Sequence, residues 1–296
     1  MNTIGARTHE HVSQGPLLIL ASSGLFALMG AGIKVVSDHL PLEMIVFFRN
    51  FFGLITLSPW LMQAGRDGIR TDRLELHGFR TIVGLAAMYC FFYALAHLQL
   101  GEAVLLNFSA PLFVPLIAFL WLREPVPPGL RWALAIGLLG IALILKPTAG
   151  MLQPTAFVAL ASGFFASLAL VSVRDLSKTE PPERTVFYFG ALATIVSAIP
   201  MLWSWHQPTP NDWALLLGIG VLATAAQVML TRGITKVPAG QVGPFAYSTV
   251  VFSAAIGWIV WEEIFDMLSI LGGVTVCVAG IMVLRANRTA RPVQSV

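Results

Sequence analysis

The chain has 296 residues, of which 56% are hydrophobic and only 11% charged, with a net charge of +3. Soluble domains average about 25% charged residues, so this composition, with a mean hydropathy of +0.78, excludes an ordinary soluble enzyme and predicts a protein of the bilayer. The basic residues are scattered rather than clustered, which argues against a nucleic-acid partner.

Residues 1–15 form a short polar tail holding Arg7, His9 and His11. The apolar run after it is long for a signal-peptide core and has no obvious small-residue cleavage site, so it is expected to be a retained first span. A span needs about 20 mostly apolar residues. Ten candidates follow in order: 16–36, 42–64, 75–97, 101–122, 129–146, 154–174, 184–205, 211–235, 239–261 and 266–285. Backbone groups in lipid must bond internally, and runs this uniformly apolar do not alternate as barrel strands do, so the spans are expected to be helices. The connections, such as SDHLP, QAGRDGIRTD, KPTAG and SKTEPP, are too short to hold another domain. Cys90 and Cys277 lie in apolar runs and are expected to stay unpaired. The six histidines show no metal-ligand spacing, so neither a metal nor a cofactor is expected.

With the N-terminus in the cytoplasm, only Lys34 and Lys146 of the eighteen basic residues fall outside and Arg49 falls within a span. Arg80 is counted with the remainder at the cytoplasmic ends. The positive-inside rule then places both termini in the cytoplasm of a bacterial-type inner membrane.

Two segments echo one another at an offset of 139 residues: LGEAVLLNFSAPLFVPLIAFLWLRE (100–124) and AGQVGPFAYSTVVFSAAIGWIVWEE (239–263). The chain therefore divides into an N-terminal tail, halves at 16–146 and 154–285, and a C-terminal tail at 286–296. Five spans per half is an odd number, so the second half enters the membrane inverted. The expected fold is an all-α membrane protein of ten transmembrane helices in two inverted-topology repeats, a device of secondary transporters with the substrate site near the midplane.

These features resemble the drug/metabolite transporter superfamily, and within it the EamA-type carriers. The likeness rests on the arginine of FFRNFF, on YALAHLQLGEAVLLNFSAPLFVPLIAFLWLREPV and on its echo LTRGITKVPAGQVGPFAYSTVVFSAAIGWIVWEE. The resemblance implies a carrier and leans towards export, with substrates ranging from amino acids to riboflavin and drugs. The chain departs from strict symmetry where Val250 and Ala254 stand opposite Pro111 and Pro115.

The candidate site is read from polar or kinked positions inside spans. In the fourth span Pro111 and Pro115 remove helix hydrogen bonds, which predicts a bent helix that turns Asn107 and loose carbonyls towards a cavity. The competing reading is a kink for packing, with Asn107 bonded to a neighbouring helix. Pro244, Tyr247 and Ser248 share a face of the ninth span, Tyr89 and Tyr93 one of the third, and Thr224 and Gln227 one of the eighth. Ser22, Phe26, Ser162 and Phe165 in the first and sixth spans fit either cavity walls or close packing.

Arg49 is the one strong charge well inside a span and is expected to gate, to stabilise, or to meet an anionic substrate group, with Asn50, Glu43 or Glu102 as partners. No Asp or Glu stands at a span centre, which argues against a proton relay and favours facilitated diffusion or exchange. Neither an HExxH nor a GxSxG motif occurs, so catalysis is not expected. The reading is a carrier for small polar metabolites, foremost amino acids, working by alternating access as monomer or homodimer. A carrier for a larger aromatic cofactor or drug, with proton coupling through Glu102, is the alternative.

Overall fold

The structure, a computed structural model, describes residues 4–122, 130–145, 154–176, 178–236 and 247–289. These residues form α1 (Ile4–Val36), α2 (Leu42–Thr56), α3 (Ser58–Ile69), α4 (Leu74–His97), α5 (Leu100–Asn107), α6 (Ala110–Leu122), α7 (Leu130–Leu145), α8 (Pro154–Leu176), α9 (Pro182–Trp203), α10 (Pro210–Lys236), α11 (Ser248–Trp261) and α12 (Met267–Thr289). Among the described residues, six apolar segments are long enough to cross a membrane, and shorter ones lie in α7, α11 and α12. Prolines open α8, α9 and α10, where the first amides of a helix have no acceptor within it.

Two expected boundaries move. α1 starts at Ile4, inside the expected tail, because nothing between Ile4 and Gly15 breaks a helix. The second span is not continuous to residue 64. It stops at Thr56, and α3, with Pro59 in its first turn, takes in much of the expected loop up to Ile69. Gly65, at φ 60°, kinks α3 in a conformation that other residues rarely adopt.

Two sets of contacts fix helix direction. Lys34, near the end of α1, reaches the Leu98 carbonyl just after α4 and Glu263 just after α11. Arg73, just before α4, reaches Asp175 near the end of α8. The first helix of one half therefore finishes where the first helix of the other begins, and the two repeats are inverted.

The interfaces follow a pseudo-twofold axis. α1 packs on α10, and α8 packs on α4. The 139-residue offset turns one of these contacts into the other. α2 packs on its counterpart α9, and α7 on its counterpart α12. Phe108 and Tyr247, related by the same offset, meet with ring centroids 5.6 Å apart, so the axis passes between them.

Apolar side chains fill the centre, with Ile33, Met44, Ile45, Phe92, Leu95, Leu106 and Ile219 fully buried or nearly so. The outward faces are equally apolar: Leu120 is 77% and Ile259 71% exposed. Apolar patches on that scale suit lipid rather than water. Where backbones come closest the side chains are missing. A Cβ on Gly140 of α7 would lie 2.9 Å from the Gly272 carbonyl of α12.

Candidate functional site

The fourth span is broken, not merely bent. α5 ends at Asn107, and the chain turns through Phe108 and Ser109 before α6 begins. The Phe108 amide still bonds the Val104 carbonyl at 2.9 Å, but the Ser109 amide tightens to Leu106 at 3.1 Å. The Leu112 amide then bonds the Ser109 carbonyl at 2.9 Å and opens the new helix. Pro111 thus stands in the first turn of α6, where its missing N–H costs nothing. This corrects the expectation of one continuous bent helix. Pro115 lies within α6.

The break is seated on α8. The Asn107 side-chain amide donates to the Ser162 hydroxyl at 2.9 Å, and that hydroxyl donates to the Ala159 carbonyl at 2.5 Å. Gly163 makes the approach possible, since a Cβ there would lie 3.0 Å from the Asn107 carbonyl. Ser109 is fully buried beside it, and its hydroxyl has no partner. Tyr247 closes the other side against Phe108, with its own hydroxyl buried and unpartnered. Interrupted backbone at membrane depth is tolerated where protein or a cavity surrounds it, and transporters place substrate sites at such breaks.

Polar clasps join the two halves at both ends of the bundle. At one end Lys34 Nζ bonds Glu263 Oε1 at 2.5 Å and the Leu98 carbonyl at 2.6 Å. The other Glu263 oxygen accepts from the Leu100 amide at 2.8 Å. Glu262, at φ 56°, ends α11 in a left-handed turn that carries Glu263 back over Gly257.

At the opposite end Arg73 bonds Asp175 at 3.0 Å, the Thr71 hydroxyl bonds Glu180 at 2.6 Å, and Arg184 bonds Glu180 at 2.8 Å and the Gly68 carbonyl. The hydrogen bond from Lys178, with those from Arg73, holds the Asp175 carboxyl below its ordinary range despite its desolvation. Burial pushes the Glu180 carboxyl up, but Thr71, Arg184 and nearby His77 outweigh it and leave it below its ordinary value. Both carboxylates are therefore charged at neutral pH, and this clasp holds there.

The structure gathers only some of the expected site residues. Asn107, Ser162 and Tyr247 meet at the break, and Ser248 follows Tyr247 as the first residue of α11. Ser22 turns onto its own helix, donating to the Ile19 carbonyl at 2.7 Å. Phe26 packs half-buried against the core, and Phe165 lies beside Phe164. Tyr89 is half-buried in α4 with its hydroxyl occluded and unpartnered. Tyr93, one turn further, is exposed and stacks on His97. Thr224 donates to the Gly53 carbonyl at 3.4 Å, a contact between α2 and α10. Gln227 is half-buried in α10, and Pro244 lies outside the described residues.

The charged candidates rearrange. Glu102 accepts from Ser269 at 2.7 Å and does not pair with Arg49. Arg49 donates instead to Asn50 at 2.9 Å. Arg80, counted above at a helix end, lies six residues into α4, about 9 Å along it, with Nε and Nη1 occluded. The hint in the sequence was Gly84, one turn on, where a side chain would collide with the guanidinium.

Comparison with known proteins agrees with this architecture. The EamA-like transporter family matches twice, at residues 13–146 and 153–285. A pseudopaline exporter, CntI, of Pseudomonas aeruginosa strain UCBPP-PA14 is 37% identical over 280 residues, covering 94% of this chain and 98% of its own. A riboflavin transporter of Vibrio cholerae is 26% identical, covering 85% and 86%. An S-adenosylmethionine uptake transporter of Rickettsia bellii is 27% identical, covering 93% of both chains. A crystal structure at 18% identity shares the fold, with a TM-score of 0.64 over 96% of this chain and 99% of that one. Two matched repeats, an inverted bundle and a relative alike along nearly its whole length place the chain in the EamA-like transporter family, as a multi-pass membrane transporter.

Proposed function

We propose that this transporter moves small polar metabolites, foremost amino acids and compounds built from them, out across the inner membrane by alternating access. The observation that carries the proposal is the broken fourth span, whose Asn107–Ser162 bond joins the two inverted repeats beside the pseudo-twofold axis. An amide, hydroxyls and aromatic rings without a central carboxylate suit a zwitterion with several hydrogen-bonding groups. The relative named as an exporter supports the outward direction. The distribution of basic residues supports an external Lys34 end and a cytoplasmic Arg73 end.

In this reading the two clasps open in turn, each releasing one repeat from the other. The carboxylates of the described spans lie towards helix ends, as Glu43, Glu102 and Glu183 do. That favours a facilitator or exchanger driven by the substrate's own gradient. A larger aromatic substrate is the second reading, favoured by the relative named as a riboflavin transporter and by the Phe108–Tyr247 pair.

Counterflow in liposomes tests the proposal. Vesicles holding the purified chain and a mixed amino-acid pool are expected to accumulate a subset of labelled amino acids without any ion gradient. Folded protein that accumulates none, or does so only with a proton gradient, would overturn the facilitator reading.

A further inference from the structure

Among the described residues, two guanidiniums lie within the bundle without an acid paired to them. Arg49 stands on α2, seven residues beyond Leu42 and about 10 Å along the helix. Its Nη1 donates to Asn50 Oδ1 at 2.9 Å, and its Nε is occluded without a partner. Asn50 is held in turn, donating to the Val46 carbonyl at 2.8 Å and lying 3.6 Å from Met88 Sδ, which ties α2 to α4.

Arg80 approaches from α4, which packs with α2 and α9 so that each of the three helices touches the other two. Gly190, next to Phe189, meets Leu54 of α2, and Arg80 thus faces the same three-helix junction as Arg49. Its guanidinium carbon is 4.1 Å from the centre of the Phe189 ring on α9. Gly84 leaves the slot it occupies. Its Nε and Nη1 are occluded with no partner, as is the hydroxyl of Tyr89 on the same helix.

Among the described residues no carboxylate pairs with either arginine: Glu43, in the first turn of α2, lies within electrostatic reach of Tyr89 instead, and four other acids are engaged elsewhere. Glu102 holds Ser269, Asp175 holds Arg73, Glu180 holds Arg184, and Glu263 holds Lys34.

An unpaired buried charge costs several kcal/mol, and two like charges near one another cost more. Charged residues in a span normally find partners or water. Snorkelling would relieve the cost by taking the head groups to an interface, but both residues are half-buried and Nε of each, with Nη1 of Arg80, is closed off from solvent. The arrangement makes sense if the missing partner arrives from outside. A guanidinium presents a planar fork that fits carboxylate or phosphate oxygens, and the Phe189 ring lies against one of the two.

We propose that Arg49 and Arg80 form an oxyanion site that binds a carboxylate or phosphate group of the transported molecule. The binding stands on the placement of the two guanidiniums, and its part in transport rests on the substrate reading above. The site narrows the substrate to molecules bearing at least one acidic group beyond what the zwitterion reading requires.

The test is a titration of the purified full chain in detergent at constant ionic strength, with glutarate and inorganic phosphate as separate probes and thermal unfolding as readout. A ligand that binds only the folded state raises the transition in a saturable way. Saturable stabilisation by at least one probe is expected, and the tighter of the two identifies the group as carboxylate or phosphate. Arg49→Gln and Arg80→Gln are each expected to raise the apparent Kd about tenfold or more, the loss of a charge-assisted pair.

Should either variant fail to fold, Arg49→Lys and Arg80→Lys decide the matter. Each is expected to weaken binding about threefold by loss of the fork. No saturable response in the parent, or variants that match it, would overturn the site. Anion binding without counterflow would sink the amino-acid facilitator reading and leave this site standing, and counterflow without anion binding would do the reverse.

Discussion

Gly163→Ala is expected to destabilise the protein and to cut transport sharply, although the same exchange usually stabilises a helix interior by about 0.5–1 kcal/mol. The reason is the seat of the broken span. A Cβ at residue 163 would lie 2.5 Å from Ser109 Oγ, 3.0 Å from the Asn107 carbonyl and 3.1 Å from the Leu106 carbonyl. Two of those atoms are backbone and cannot swing aside, so α8 and the break must separate. Overpacking of this kind costs about 1–3 kcal/mol. Gly218→Ala in α10, where nothing lies within 4 Å, is the control and is expected to be neutral or slightly stabilising. Melting curves in detergent with counterflow on both variants check the pair, and equal behaviour of the two would show that the close seat at Gly163 does not matter.

The second large effect concerns the clasp at the Lys34 end. Lys34 and Glu263 are only 15% and 13% exposed, so their pair is shielded well beyond a surface ion pair. Removing Glu263 leaves the Lys34 ammonium with the Leu98 carbonyl and the Trp261 ring 5.4 Å away, and removing Lys34 leaves the Glu263 carboxylate with the Leu100 amide alone. Lys34→Met and Glu263→Gln are each expected to cost about 1–3 kcal/mol, while the double variant costs less than the sum. A coupling of about 1 kcal/mol or more separates this pair from exposed ones, which reach about 0–1 kcal/mol. Under the proposed alternating access the same variants favour opening at this end. A double-mutant cycle on melting temperature checks the energetics, and strictly additive losses would show that the pair holds nothing together.

Much of the fold was legible in the sequence because the bilayer imposes simple rules. Long apolar runs had to become helices, and the 139-residue echo of Ser109 in Ser248 and Phe108 in Tyr247 announced the repeat. The inversion followed from an odd number of spans. The site was less legible because a hydrophobic run does not show which of its faces will meet a partner. Thr224 and Tyr93 carry the same polar signature as Asn107, yet one bridges α2 to α10 and the other stacks near a helix end.

The break at Phe108 was misread as a bend because prolines mark where a helix loses bonds, not whether it resumes as a new one. Arg80 was missed for a related reason. A charge six residues inside a helix reads as an interfacial anchor unless Phe189, more than a hundred residues away, is known to lie against it. The Lys34–Glu263 clasp spans 229 residues of sequence and leaves no local trace.

The central claim is that the break between α5 and α6 opens to each side of the membrane in turn. The direct measurement is labelling of Asn107→Cys, in a chain whose Cys90 and Cys277 are replaced, by a membrane-impermeant maleimide. The reagent is added to right-side-out vesicles in one experiment and to inverted vesicles in the other. Alternating access predicts labelling from both sides, slowed in both by the transported amino acid. Labelling from one side only, or from neither, would contradict it.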